Sequence, residues 1–195
     1  DKFTIGDFER LQNDTYSSYA REMTPGILEA MNGNGALADG DTIIVEYLRN
    51  WNWRFAQTEI ACAIFQQFFV CFLHNVYADE MGEDLFHDWV LLTTIPLRVT
   101  ARLLREGSSS WFDDGTTPAV ETRDAMIRKS MREAAGKLRA RFGPDTRLWR
   151  WGDMHMVTLR HPFGECPPLD RIFNIGPFPV DGGSTARAGS SPVSI

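Results

Sequence analysis

Cysteine is scarce in this chain, with three in 195 residues, and that excludes a fold framed by disulfides. Cys62 and Cys71 fall in one predicted helix, about 13 Å apart along its axis and too far to bridge. With the solitary Cys166 they read as core thiols. A basic block is missing too: 26 acidic against 20 basic residues leave a formal charge of -6, which argues against non-specific nucleic-acid binding. The most apolar run, Ile60 to Leu73, is shorter than the ~20 residues a bilayer span needs and is interrupted by Gln66-Gln67, so no membrane span is expected. Phosphate loops of the G-x-x-x-x-G-K-[ST] and G-x-G-x-x-G kinds are absent. So are internal repeats and low-complexity tracts. No signal peptide is visible, and the chain opens on Asp1 rather than Met, as expected of a processed or truncated piece.

What is present is apolar and aromatic. The chain is 43% hydrophobic and 12% aromatic, enough for a sizeable core at this length. Helical spacing dominates as far as Phe142. Thr4 to Glu22 is predicted as one amphipathic helix, capped by Thr4 with Asp7 as its capping-box partner, with Phe8, Leu11, Thr15 and Tyr19 on a core-facing stripe. Pro25 is placed in the first turn of a second, short helix carrying Ile27, Leu28 and Met31, which Asn32-Gly33-Asn34-Gly35 ends. Asp41-Thr42 opens a third, with Ile43, Ile44, Tyr47, Leu48 and Trp51 apolar, and Asn50 to Ala56 reads as a break.

Thr58 is the expected cap of a long helix running to about Met81. That helix is apolar nearly all round, which marks burial on most sides; it is the predicted hub, with Phe68 and Phe72 among the most buried side chains. Glu83 to Glu106 reads as one or two helices around Pro96. Gly107 to Pro118 reads as a polar loop pinned to the core by Trp111 and Phe112. Glu121 to Phe142 reads as a helix with Met126, Ile127, Met131, Ala134, Leu138 and Phe142 turned inward. Its other face carries Arg128, Lys129, Arg132, Lys137, Arg139 and Arg141, a face more often solvated or paired with acidic neighbours than bound to nucleic acid.

After Trp149 the period becomes two. Trp151, Asp153, His155, Val157, Leu159 and His161 share one face of a predicted strand; Arg150, Gly152, Met154, Met156, Thr158 and Arg160 share the other. Pro162, Gly164, Pro167 and Pro168 stop it. Ile175 to Val180 contains Pro177 and Pro179 and is expected as an edge strand or ordered loop. Gly182-Gly183 is a sharp turn. The predicted class is therefore mainly α with a C-terminal β portion (α+β), divided into a helical subdomain at 1–147 and a strand and loop segment at 148–195.

Several groups of residues have the composition of a chemical site. His155, His161 and Cys166 match no zinc spacing; a histidine bonded to backbone within a sheet is the commoner arrangement. Asp153 and His155 with a serine would need a nucleophile elbow of the G-x-S-x-G kind, which is absent. Asp113, Asp114 and Glu121 lack EF-hand spacing for calcium, and an ordered acidic loop is expected. Trp149-Arg150-Trp151 has the composition of a stacking site, though half-buried strand aromatics are commoner. No catalytic, cofactor or metal residue is assigned.

Three stretches in order carry a resemblance: W-x-W-G-x-x-H at 149–155, H-P-F-G at 161–164, and F-N-x-G-P-F-P-V-x-G-G at 173–183. Together they resemble the β-chain of the penicillin amidase (penicillin acylase) family of N-terminal nucleophile hydrolases. Ser110–Asp124 and Phe3–Tyr16 agree with it, so the likeness touches nearly the whole chain. Two steps depart: Asp181-Gly182-Gly183-Ser184-Thr185-Ala186-Arg187 stands where the family often has GGxxxTVN, and Trp51-Asn52-Trp53 where it tends to have W-D-G.

The resemblance implies a parent that cuts itself, exposes a β-chain serine and cleaves linear amides such as penicillins, acyl homoserine lactones or other N-acyl amines. It implies that this chain is an internal β-chain segment lying after the nucleophile and the oxyanion asparagine, inactive alone. Its implied partners are the α-chain and the rest of the β-chain, with a small acylated amine as the parent's substrate. The strands after Leu148 would join the parent's αββα sandwich; alone they are expected to dimerise or swap between copies. A periplasmic or secreted location fits the family. The alternative is a stand-alone helical binding or interaction module.

Overall fold

The computed structural model describes residues 2–32, 42–92 and 94–185. The predicted Gly33-Asn34-Gly35 helix end, Asp41 and the final run from Ala186 lie outside these. The described part is mainly helical, with one small antiparallel sheet near the C-terminus. The helices are α1 (Ile5–Gln12), α2 (Ser18–Met31), α3 (Thr42–Arg49), α4 (Ile60–Met81), α5 (Glu83–Val90), α6 (Thr94–Glu106), α7 (Arg123–Phe142) and α8 (Asp170–Phe173). The strands are β1 (Met156–Leu159) and β2 (Ile175–Pro179).

The hub is α4, as its all-round apolarity predicts. It packs chiefly against α7, with α3 and α5 on other sides, while α2 braces α7, α3 and α6. Phe65, Phe68 and Phe72 are fully buried, each contributing roughly 1.5–3 kcal/mol by removal from water. At 22 residues with a mean hydropathy of 1.4, α4 is long and apolar enough to cross a membrane, beyond what the Ile60–Leu73 run suggests. The most apolar part of α4 is 72% buried inside the protein, the surroundings of a core helix. It starts after Glu59, with no side-chain cap from Thr58, and ends at Gly82, whose φ of 74° suits glycine. The buried Cys62 and Cys71 are core thiols, their acidity weakened by burial, whereas Cys166 is exposed.

The N-terminal expectation needs correction. Thr4 to Glu22 is two helices, α1 and α2. The capping box at Thr4 and Asp7 forms as expected, but Asn13 and Asp14 bond to local backbone, competing with helix continuation. Thr15–Ser17 then pairs with Trp53–Phe55: the Ser17 N–H donates to the Trp53 carbonyl at 2.9 Å and the Phe55 N–H to the Thr15 carbonyl at 3.0 Å. Ser17 caps α2 through the Ala20 N–H. With the helix broken, Phe8 and Leu11 do not reach the core, and α1 buries nothing. Pro25 lies inside α2 rather than opening a new helix.

Pro96 does occupy the first turn of α6. Phe112 pins its loop by full burial, while Trp111 is partly exposed against Tyr77. Trp53 takes φ 58°, in the left-handed region that favours glycine, at the position where the resembled W-D-G step has its glycine.

The C-terminal stretch also differs from a single long strand. Residues 146–148 and 151–153 form 3-10 turns, and extended pairing starts only at Met156. The backbone turns because it is recruited elsewhere: the Trp151 N–H donates to the Glu59 carbonyl (3.0 Å) and the Gly152 N–H to that of Gln57 (2.8 Å). Strand alternation therefore fails at Trp149–Met154. β1 and β2 pair with Val157 opposite Phe178 and Leu159 opposite Ile175, with an irregularity between them.

Candidate functional site

The segment leading into α4, Phe55 to Glu59, is where the two ends of the C-terminal stretch meet the helices. Gly152 and Trp151 bond to its carbonyls from one side. From the other, the Gly182 N–H donates to the Phe55 carbonyl at 2.7 Å, and the Asp181 carboxylate accepts the Gln57 N–H at 2.7 Å. A line of rings crosses the seam: Phe65 against Trp51, Trp51 against Phe55, Phe55 edge-on to Trp151 at 5.5 Å, and Trp151 stacked on His155 at 4.8 Å. The Trp151 indole donates to the Gly182 carbonyl at 2.7 Å. Gly182, at φ 87°, makes the turn its Gly-Gly step suggests.

The residues weighed for chemistry do not converge. His155 is buried, and its Nδ1 lies 3.1 Å from the Val180 carbonyl. A carbonyl only accepts, so Nδ1 carries the hydrogen; among the described residues Nε2 has no partner. His161 is exposed beyond the far end of β1. Its Nδ1 accepts from the Phe163 N–H, and its ring stacks on Phe173. Asp153 is exposed and offers its carbonyl to Arg141. Among the described residues no group of three or more His, Cys, Asp or Glu side chains is placed to hold a metal ion.

The acidic loop is ordered by its own donors. Asp114 accepts from the Thr116 hydroxyl (2.5 Å) and N–H (3.1 Å) and pairs with Lys129 at 2.9 Å. The Thr116 hydroxyl, then Lys129, hold its carboxyl down at about 2. Glu121 accepts from the Asp114 N–H and the Thr117 hydroxyl, which lower it in that order. Asp113 accepts from the Glu121 N–H, and Asp79 from the Gly115 N–H. These carboxylates are taken up by loop donors and by Lys129 of α7 rather than converging on a shared centre.

The basic face of α7 is engaged at four of its six positions, while Arg132 and Lys137 are exposed. Lys129 meets Asp114, Arg128 donates to the Ala30 carbonyl, Arg139 lies over Trp149 and Arg141 over Phe142. Trp149 and Trp151 are buried and bond through their indole N–H groups to the Gly143 and Gly182 carbonyls, so they form core rather than a stacking platform. A cleft of about 270 Å³ lies between α2, α6 and α7, but its charges are paired, Arg105 with Glu22 and Arg123 with Glu29 and Asp124.

Sequence reading missed the Phe55–Glu59 seam. The signal was there in Gly152 and Gly183, whose missing side chains admit neighbours. A methyl at Gly152 would stand 2.9 Å from the Cβ atoms of Gln57 and Pro179, and one at Gly183 would stand 3.1 Å from the Phe55 ring.

The family model described as penicillin amidase matches residues 1–193. The acyl-homoserine lactone acylase QuiP of Pseudomonas fluorescens (strain Pf0-1) is 25% identical over 122 residues, 60% of this chain and 15% of that protein. Its namesake in Pseudomonas aeruginosa is 26% identical over 134 residues, 58% of this chain and 16% of that protein. That of Pseudomonas syringae pv. syringae (strain B728a) is 24% identical over 147 residues, 71% and 17% respectively. The chain thus spans 15–17% of the length of these relatives. With its model matched almost from end to end, this chain belongs to the penicillin amidase family.

Proposed function

We propose that this chain is an internal, late segment of the β-chain of an amidohydrolase that cleaves linear amides through an N-terminal nucleophile. The observation that carries the reading is one of proportion: the family model matches residues 1–193, while the relatives are matched over only 15–17% of their length. In the parent, a serine freed by self-cleavage attacks the amide carbonyl. Its own α-amine takes the proton, and backbone N–H groups with an asparagine hold the oxyanion. This chain supplies none of these groups. Its role is to hold shape, with 1–147 as a helical subdomain and 148–195 contributing strands to the αββα core. The relatives' name supports acyl homoserine lactones as the first substrates to try, with penicillins and other N-acyl amines beside them.

The test compares the 195-residue chain with its full-length parent against penicillin G, acyl homoserine lactones and a chromogenic anilide. The parent should process itself and turn over at least one; the chain alone should turn over none. Turnover by the chain alone, abolished by substituting one of its own serines, would overturn the reading.

A further inference from the structure

α1 forms although it buries nothing, and its ends show how. A helix of 8 residues is marginal on its own in water, so an exposed one needs local support. Thr4 and Asp7 supply the capping box. Phe3, just before the cap, packs on Phe8 with ring centroids 5.9 Å apart, the pairing of a hydrophobic staple. Beyond the other end, the Asp14 carboxylate pairs with Arg54 at 3.0 Å, and the Arg54 guanidinium lies 5.8 Å from the centre of the Tyr16 ring. The helix is thus formed at one end and tethered to the body at the other.

What it presents is one apolar stripe. At about 100° per residue, Ile5, Phe8 and Leu11 fall within an arc of about 120°. They are 80%, 54% and 42% exposed, and Phe3 beside them is 73% exposed. A carboxylate stands on each flank of the stripe, Asp7 next to Leu11 and Glu9 next to Ile5, with Arg10 behind. Thr4 and Arg10 take up Asp7, while Glu9 is exposed. A lipid surface does not suit this helix, because interfacial helices carry Lys and Arg along their polar face. A groove in protein does, apolar on its floor and basic on the Glu9 flank. α1 lies inside the stretch that the family model matches, and the relatives extend well beyond the 15–17% of their length matched here.

We infer that α1 is a docking arm: its Ile5, Phe8 and Leu11 stripe, with Phe3, seats in an apolar groove, basic on the Glu9 side, formed by polypeptide of the parent outside this chain. The inference rests on the segment reading above. The capping box and staple shape the arm beforehand, which lowers the ordering cost of docking.

Residue-resolved amide hydrogen exchange tests it at two amides of the arm, the Phe8 N–H on the Thr4 carbonyl (3.3 Å) and the Asn13 N–H on the Glu9 carbonyl (3.0 Å). Both should exchange roughly 100-fold more slowly in the full-length parent than in the 195-residue chain at low concentration. Ile5→Glu puts a charge on the stripe at the first helical position, where the helix dipole favours it. It should change the rates in the chain alone by less than about threefold, yet remove about tenfold or more of the protection in the parent. Glu9→Lys in the parent should also loosen the arm, and less so as salt is raised. Equal rates in chain and parent would overturn the proposal, as would protection that survives Ile5→Glu. Glu9→Lys without effect would overturn the basic flank of the groove. Protection that the chain alone gains with its own concentration would mean a second copy. Protection that it gains on vesicles of phosphatidylcholine and phosphatidylglycerol would mean a lipid surface. Either sinks the arm as drawn. Amide hydrolysis by the same parent is scored separately: an active parent with an unprotected α1 sinks this docking arm alone, and a folded parent inert towards linear amides sinks the functional reading.

Discussion

Asn174 holds both ends of the turn that separates the two strands. Its Oδ1 accepts from the His161 N–H at 3.0 Å and its Nδ2 donates to the Gly164 carbonyl at 3.1 Å. The H-P-F-G and F-N-x-G stretches, nine residues apart in sequence, are thus one structural unit. Gly164 is small because Asn174 fills its place: a methyl there would stand 2.1 Å from Oδ1. Replacing Asn174 by Ala removes two hydrogen bonds worth about 1 kcal/mol each. The His161 amide should then exchange about tenfold faster or more. An unchanged rate would mean that stacking of His161, Phe163 and Phe173 holds the turn unaided.

Gly152 offers a second test, at the seam. Its N–H reaches the Gln57 carbonyl only because no side chain separates the two backbones. Gly152→Ala should lower stability by about 1–3 kcal/mol, the usual range for overpacking a tight site. Urea titration followed by tryptophan fluorescence reads it, since Trp151 sits beside the glycine. A loss under about 0.5 kcal/mol would show that the seam opens freely.

The helical core was legible because burial there follows a period that sequence displays. The α4 positions Phe65, Phe68 and Phe72 and the α7 positions Met126, Ile127, Met131, Ala134 and Leu138 are buried where spacing placed them. Legibility failed where the backbone bonds to a distant segment. Nothing local announces that Thr15–Ser17 pairs with Trp53–Phe55, so two helices read as one, and spacing alone gives Phe8 and Leu11 a core they do not reach. The same holds at Trp151 and Gly152, where carbonyls of Gln57 and Glu59 override strand alternation. For the candidate site, spacing alone set aside liganding sets at His155, His161 and Cys166 and at Asp113, Asp114 and Glu121, and a backbone-bonded His155 and an ordered acidic loop are what forms. The particular partners, the Val180 carbonyl for His155 and Lys129 for Asp114, depend on geometry rather than on spacing.

Phe68 tests the hub. It is fully buried and stacks on Phe72 with ring centroids 5.5 Å apart. Phe68→Ala should cost about 3–5 kcal/mol through lost transfer energy and an unfilled cavity. Val120→Ala, at a position 82% exposed, should stay within about 0.5 kcal/mol of the unsubstituted chain. Chemical denaturation of the pair separates the two; a Phe68→Ala loss under about 1 kcal/mol would place α4 at the surface.

Acid should loosen the loop between α6 and α7 through Asp114. The Thr116 hydroxyl and Lys129 hold its carboxyl at about 2, against an ordinary 3.8. Because the folded value lies below the unfolded one, the fold favours the ionised form. That contribution is fully present above about pH 4 and is lost as the pH falls towards 2. Asp114→Asn keeps one acceptor for Thr116 but gives Lys129 no charge, so the variant should be less stable at pH 7. The gap between the two proteins should narrow steadily between pH 4 and 2. Asp7 and Asp145, whose carboxyls are also lowered, titrate alike in both proteins and cancel in the difference. Unfolding free energies measured at half-unit steps across this window decide the matter: a gap that stays constant from pH 7 to 2 would mean that Asp114 acts through its shape and hydrogen bonds alone, with its charge contributing nothing.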